Sequence, residues 1–117
     1  TRRDKLSCYL FSARFLVMSL DRVQPKLIIH GGAGSSLKGK GGAEAVRRSL
    51  YKVVEEVYAL LLAGAPATEA VVAGCQLLED DPRFNAGTGS VLQSDGQIRM
   101  SAALMDGTQQ RFSGVIN

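Results

Sequence analysis

Apolar positions recur with two different periods along the chain, and the change of period marks out its elements. Between residues 43 and 63, Val46, Leu50, Val53, Val54, Val57, Leu60 and Leu61 return every three or four positions. They form one apolar face, so the spacing predicts a helix over Ala43–Ala63. Glu44, Arg47, Arg48, Lys52, Glu55 and Glu56 occupy the other side. Gly64 stands where a helix would end in a left-handed residue, and Pro66 falls in the first turn of a second helix over Ala67–Glu79. That helix carries Ala70, Val71, Ala73, Gly74, Leu77 and Leu78, and its small residues predict close packing, against a sheet in the first instance. Before the helices, Pro25–His30 reads as a short strand buried on both faces at Leu27 to Ile29. After them, Ser90–Gln93, Gln97–Met100, Ala102–Met105 and Gln110–Asn117 read as strands, with turns at Asp95-Gly96 and Asp106-Gly107. One strand, a helical hairpin and a meander of about three strands predict an α+β fold.

Two connections contain more than a turn requires. His30 runs into Gly31-Gly32-Ala33-Gly34, and consecutive glycines after a strand bring backbone close to a ligand or to another backbone. The other stretch is Leu77–Ser90, where Pro82 stops the second helix and Gly87 and Gly89 permit unusual backbone conformations. Between them sit Phe84, an apolar anchor, and Asn85, an amide able to donate and accept. Spacing alone leaves both a tight helix-to-strand connection and a functional loop open. A dinucleotide fingerprint is rejected at Gly32-Ala33-Gly34, where no third glycine has the required offset and no helix follows at once. A P-loop is rejected at Gly39-Lys40-Gly41, which lacks the preceding spacing and the following Ser or Thr.

Composition narrows the functional classes. The 117 residues carry 45% hydrophobic residues and a net charge of +3, enough for one compact domain with a core. The basic residues crowd into the first half, and neither their spacing nor the three Tyr and four Phe make the basic stripe with interleaved aromatics that nucleic-acid binding would want. Two cysteines, Cys8 and Cys75, give neither a disulfide framework nor metal spacing and suit a reducing, cytoplasmic setting. Cys75 is expected to be a small buried hydrophobe, and His30 alone cannot build a zinc site. No run approaches the length of a membrane span. Residues 1–20 are basic, serine-containing and apolar, which fits a targeting segment or an upstream extension; the extension is the favoured reading, outside the core and with Met18 the natural start. Residues 21–117 form the folded part. The ending at Asn117, in or just after a strand, leads to the expectation that a C-terminal part is missing.

His30-Gly31-Gly32-Ala33-Gly34, Phe84-Asn85-Ala86-Gly87-x-Gly89-Ser90 and Met105-Asp106-Gly107, in that order around a helical hairpin, resemble the plant-type asparaginases or isoaspartyl peptidases. These are N-terminal-nucleophile hydrolases, related to glycosylasparaginase and the threonine aspartase. The resemblance covers Lys26 to Asn117 and implies part of a four-layer αββα sandwich. It also implies a precursor that cuts itself before a threonine, whose freed amine can serve as base for its own hydroxyl. The implied reaction is hydrolysis of L-asparagine or β-aspartyl peptides through a covalent β-aspartyl enzyme. The nucleophile and the residues that grip the substrate's α-carboxylate and α-amino group lie beyond Asn117 in this family. Thr68, Thr88 and Thr108 stand in the wrong contexts to replace the nucleophile, so this chain alone is expected to be inactive, the N-terminal part of an α subunit.

What the resemblance does carry onto this chain is supporting. Asn85 matches an asparagine close to the nucleophile, and Gly31, Gly32 and Gly34 match the glycine loop beside the cleavage site. The main-chain carbonyls of Leu78, Glu79, Asp81, Phe84, Ala86 and Thr88 match a loop that wraps a sodium ion, a hard cation needing oxygen ligands rather than particular side chains. His30 is expected to be structural. No other cofactor is implied. The implied partners are a β subunit from the same precursor, assembled as a dimer of αβ units, and a small amide or dipeptide substrate. A non-catalytic module pairing through its last strand, or a relative acting on another amide, are the alternatives.

Overall fold

The computed structural model describes residues 24–32 and 37–116. Residues 1–20, Met18, Cys8, Ala33 and Gly34 lie outside the described residues, so the expectations that rest on them have no structural counterpart. A short 3-10 turn at Leu37–Lys40 leads into helix α1, Gly42–Leu62, and then helix α2, Ala67–Asp80. The chain ends in an antiparallel hairpin of β1, Ala102–Asp106, and β2, Arg111–Val115. The architecture is α+β, with a helical layer beside a sheet layer.

The helical hairpin follows the sequence closely. Gly64 adopts φ +98° at the end of α1. Its N–H donates to the carbonyl of Leu61 at 3.0 Å, while Ala65 N–H donates to the carbonyl of Leu60 at 3.0 Å. This pair of bonds satisfies carbonyls that a helix end leaves open and reverses the chain within a few residues. Pro66 sits one place earlier than the spacing predicted, as the N-cap of α2, and its carbonyl accepts from Ala70 N–H at 3.1 Å. At the other end of α2, Asp81 is extended at φ −85° and ψ 114°, the conformation the following Pro82 enforces.

Packing concentrates where the two helices meet. Val53, Val57 and Ala70 are buried, with Leu27, Ile29, Leu61, Leu77 and Leu78 packed around them. A side chain at Gly74 would place its Cβ 3.3 Å from Val57 Cγ2, so the small residues of α2 admit α1 rather than a sheet. The 25–30 segment delivers Leu27 and Ile29 to this core but leaves Ile28 95% exposed, and it has no strand partner among the described residues. It is therefore a one-sided extended segment, not the doubly buried strand its composition predicts.

The meander also differs from the expectation. Residues 91–100 contain no strand; Gly96 N–H donates to the carbonyl of Gln93 at 2.9 Å, and Arg99 pairs with Asp95 at 2.6 Å, closing a turn. Among the described residues only the last hairpin is laddered, with Ala102 opposite Val115 and Asp106 opposite Arg111. Cross-strand pairing requires backbone partners as well as β-forming residues, and Val91, Leu92 and Ile98 have none here and stay exposed. An apolar groove of about 520 Å³ runs between α2 and the hairpin, lined by Val71, Val72, Met100, Leu104 and Val115. Cys75, expected to be buried, is exposed on the same side of α2. No helix among the described residues is long and apolar enough to cross a membrane.

Candidate functional site

The two over-specified stretches of the sequence meet in space. His30, Gly31 and Gly32 line a cleft of about 300 Å³ together with Phe84, Asn85 and Ala86 of the loop and Leu78 and Glu79 of α2. The contact that joins them is close. A Cβ on Gly31 would lie 2.9 Å from Cε1 of Phe84 and 3.0 Å from Cδ2 of Leu50, so only glycine lets the segment pass over the buried Phe84 ring. Gly32 has φ +87°, a left-handed conformation that glycine adopts without cost, and Val46 lies beneath it. Gly34, the third glycine of the loop, lies outside the described residues.

The loop after α2 is tied together largely by its own backbone. Phe84 N–H donates to the Asp81 carbonyl at 3.1 Å, Gly89 N–H to the Ala86 carbonyl at 3.0 Å, and Ser90 N–H to the Gly87 carbonyl at 3.1 Å. Asn85 closes the loop through its side chain, whose Oδ1 accepts from Val91 N–H at 3.0 Å. Its carbonyl oxygen is thereby engaged, and the donors it can still offer are the hydrogens of Nδ2. The glycines are needed for space. A Cβ on Gly87 would collide with the Glu79 carbonyl, and one on Gly89 with the Phe84 carbonyl; the Pro82 carbonyl stands 2.7 Å from the latter position. Main-chain oxygens from both limbs of the loop therefore converge on the two glycines.

Asp81 is the ionisable group most altered by this arrangement. Burial acts to raise its pKa, but hydrogen bonds from Arg83 N–H, from Ser49 and from the Arg83 guanidinium, with the charge of that guanidinium, outweigh it. The net effect holds the Asp81 carboxyl below its ordinary value. Its Oδ1 accepts from Arg83 N–H at 2.9 Å and from Arg83 Nη1 at 3.2 Å. The sequence reading assigned Asp81 only a main-chain role. An Asp directly before Pro, two residues from a free N–H, is the signal for this side-chain turn. The carboxylate of Glu79, whose Oε2 also borders Gly87, likewise escaped a reading centred on carbonyls. Among the described residues no three His, Cys, Asp or Glu side chains cluster as a metal site.

A glycine-lined cleft of this kind, joining the end of an extended segment to a helix-end loop in an α+β fold, is suited to holding a small polar group against backbone. Comparison with known proteins narrows the class. The family model described as asparaginase matches residues 23–117. An isoaspartyl peptidase/L-asparaginase of Nostoc sp. is 80% identical over 96 residues, covering 82% of this chain and 30% of that protein. The protein of the same name from Synechocystis sp. is 70% identical over 93 residues, covering 80% and 28%. The one from Rattus norvegicus is 44% identical over 81 residues, covering 69% and 24%. The chain belongs to the asparaginase family of hydrolases. It spans less than a third of the length of these relatives.

Proposed function

We propose that this chain is the N-terminal part of an amidohydrolase that, with the rest of its polypeptide, hydrolyses L-asparagine and β-aspartyl peptides. The observation that carries the reading is the cleft itself, which the His30–Gly32 and Phe84–Ala86 motifs line together. Its relatives are named for this activity. The nucleophile is a threonine outside this chain, freed by cleavage of a precursor. Its hydroxyl attacks the side-chain carbonyl, its α-amine takes the proton, and the amine or ammonia departs as the β-aspartyl ester forms. Water then releases aspartate. Preorganised donors stabilise the oxyanion of both steps.

Within that scheme this chain supplies walls and positioning. Gly31, Gly32 and Gly34 let backbone approach the cleavage site, and Asn85 presents its amide hydrogens near the nucleophile while Oδ1 is held by Val91. His30 is a structural wall of the cleft. The carbonyls of Leu78, Glu79, Asp81, Phe84, Ala86 and Thr88 would hold a sodium ion. The all-oxygen donor set suits a hard cation. When bound, the ion would stiffen the loop rather than take part in proton transfer. The partners are a β subunit from the same precursor and a second αβ unit, in the cytoplasm.

The test is expression of the complete reading frame with a β-aspartyl dipeptide as substrate. Release of free aspartate that tracks the appearance of a new N-terminal threonine is expected; an intact chain that releases none would sink the proposal. A second reading, a non-catalytic module, draws on one observation. Strand β2 leaves Phe112 73% and Val115 67% exposed, an edge open to pairing with another chain.

A further inference from the structure

The 91–99 segment carries more hydrogen bonds than a surface turn requires, and one of them reaches Asn85 of the cleft. Val91 and Leu92 are 60% and 66% exposed, so neither side chain anchors the chain in a core. What holds this stretch is bonding at its two ends. On one side Val91 N–H donates to Asn85 Oδ1 at 3.0 Å. On the other the backbone closes on itself, with Gln93 N–H donating to the Gln97 carbonyl at 2.9 Å and Gly96 N–H to the Gln93 carbonyl at 2.9 Å. Asp95 Oδ1 adds a third bond, accepting from Gln97 N–H at 3.1 Å. Over this closed turn lies Arg99. Its Nη1 donates to Gln93 Oε1 at 3.2 Å and pairs with Asp95 Oδ2 at 2.6 Å, and its Nη2 donates to Gln97 Oε1 at 3.2 Å. Asp and Gly suffice to close a turn. A guanidinium gripping three of its side chains fixes the turn more firmly than closure needs.

We propose that Arg99 is a positioning residue for Asn85: by pinning the 93–97 turn it holds Val91 N–H on Oδ1, and so fixes which end of the Asn85 amide is left to donate. The inference rests on the hydrolase reading above, in which Asn85 offers its amide hydrogens near the nucleophile. An asparagine side chain has two ends of nearly the same shape and opposite hydrogen-bonding character. A backbone N–H beside it tolerates only the carbonyl end, since a flipped amide would set the Nδ2 hydrogens against the Val91 hydrogen. Leu92 alone separates Val91 from the pinned turn, so a turn that drifts carries the Val91 N–H with it. Arg99 and Asp95 are 32% and 47% exposed. Ion pairs at that exposure add little to stability, so the clamp bears on the geometry of the segment rather than on the survival of the fold. Lost orientation of a group that acts on the reacting atoms lowers turnover more than binding.

The experiment uses the complete, self-cleaved protein and compares R99M, V91P, their double variant, N85D with and without R99M, and R47M as a control. Methionine keeps the apolar stem of Arg99 without its donors. Proline removes the Val91 N–H, and Ser90, at φ −58° and ψ 135°, already has the extended backbone that suits a following proline. R47M breaks the exposed Arg47–Glu44 pair of α1, which takes no part in lining the cleft. Rates with a β-aspartyl dipeptide are expressed per cleaved molecule. For R99M the expected kcat is lower by about threefold to tenfold, with KM within about twofold and the melting temperature within about 3 °C of the parent. V91P should lower kcat by on the order of tenfold, and the double variant should be no slower than V91P, since both act through one bond. In N85D the two carboxylate oxygens are equivalent, so adding R99M should cost nothing further; this arm carries the test if V91P does not mature. R47M should match the parent. A kcat for R99M equal to the parent's, a full further loss on adding R99M to V91P or N85D, or an equal slowing by R47M would overturn the positioning role. A parent protein that hydrolyses nothing would overturn the hydrolase reading and this inference with it, whereas an active parent unmoved by R99M overturns the inference alone.

Discussion

Replacing Gly31 with alanine probes a contact that joins the glycine segment to the Phe84 loop. The added methyl would lie 2.9 Å and 3.2 Å from two carbons of the Phe84 ring and 3.0 Å from Leu50 Cδ2. Carbon atoms rest comfortably at about 3.5–4.0 Å, so the ring must retreat by roughly half an ångström. It has little room to do so, because Phe84 is 5% exposed and its loop is closed by the Phe84–Asp81 and Asn85–Val91 bonds. Overpacking of this degree costs about 1–3 kcal/mol. Phe84→Leu shortens the offending side chain and by itself costs about 1 kcal/mol or more through the space it vacates. Combined, the new methyl occupies part of that space, and the double variant should be more stable than the sum of the two losses by at least about 0.5 kcal/mol. Melting temperatures of the parent, both single variants and the double variant of the complete protein supply the assay. Each kcal/mol corresponds to about 2–4 °C for a body of this general size. Strict additivity of the two shifts would refute the claim that Gly31 is glycine because of Phe84.

Four other substitutions test separate parts of the account. Gly89→Ala drives a Cβ into the Phe84 carbonyl and should prevent the loop from closing, whereas Gly107→Ala meets nothing within 4 Å and should leave stability within about 0.5 kcal/mol; paired thermal melts distinguish them. Val57→Ala, at a position 1% exposed between the helices, should cost about 2 kcal/mol, read as a lower melting temperature with unchanged kcat. Asn85→Asp keeps an acceptor for Val91 N–H but loses the amide donors, so the loop should stay folded while turnover falls by on the order of a hundredfold. Parental turnover in that variant would remove Asn85 from the active site.

The helical hairpin was legible because its signals are local. A three-to-four spacing, a glycine at Gly64 and a proline at Pro66 specify two helices and the reversal between them without reference to anything distant. The anchoring role of Phe84 was legible for a similar reason, since a lone aromatic among turn residues has few uses. The strands were less so. Val91, Leu92, Ile98 and Ile28 have β-forming side chains, but a strand exists only when a neighbour supplies the ladder, and among the described residues no strand pairs with them. Cys75 was misjudged on the same ground: the face of α2 that carries it turns toward the groove beside the hairpin, not toward α1. For the site, spacing marked both loops as unusual and the family resemblance tied them to a site, but their meeting across Gly31 and Phe84 could not be read.

The central claim is that this chain furnishes the supporting half of an asparaginase-type active site whose nucleophile lies farther along the polypeptide. The most direct measurement follows the complete purified protein over time by intact mass, N-terminal sequencing and aspartate release from a β-aspartyl dipeptide. Conversion of one chain into two, with threonine at the new N-terminus and aspartate release rising in step, is the predicted result. A chain that stays whole, or that splits without gaining any power to release aspartate, would contradict it.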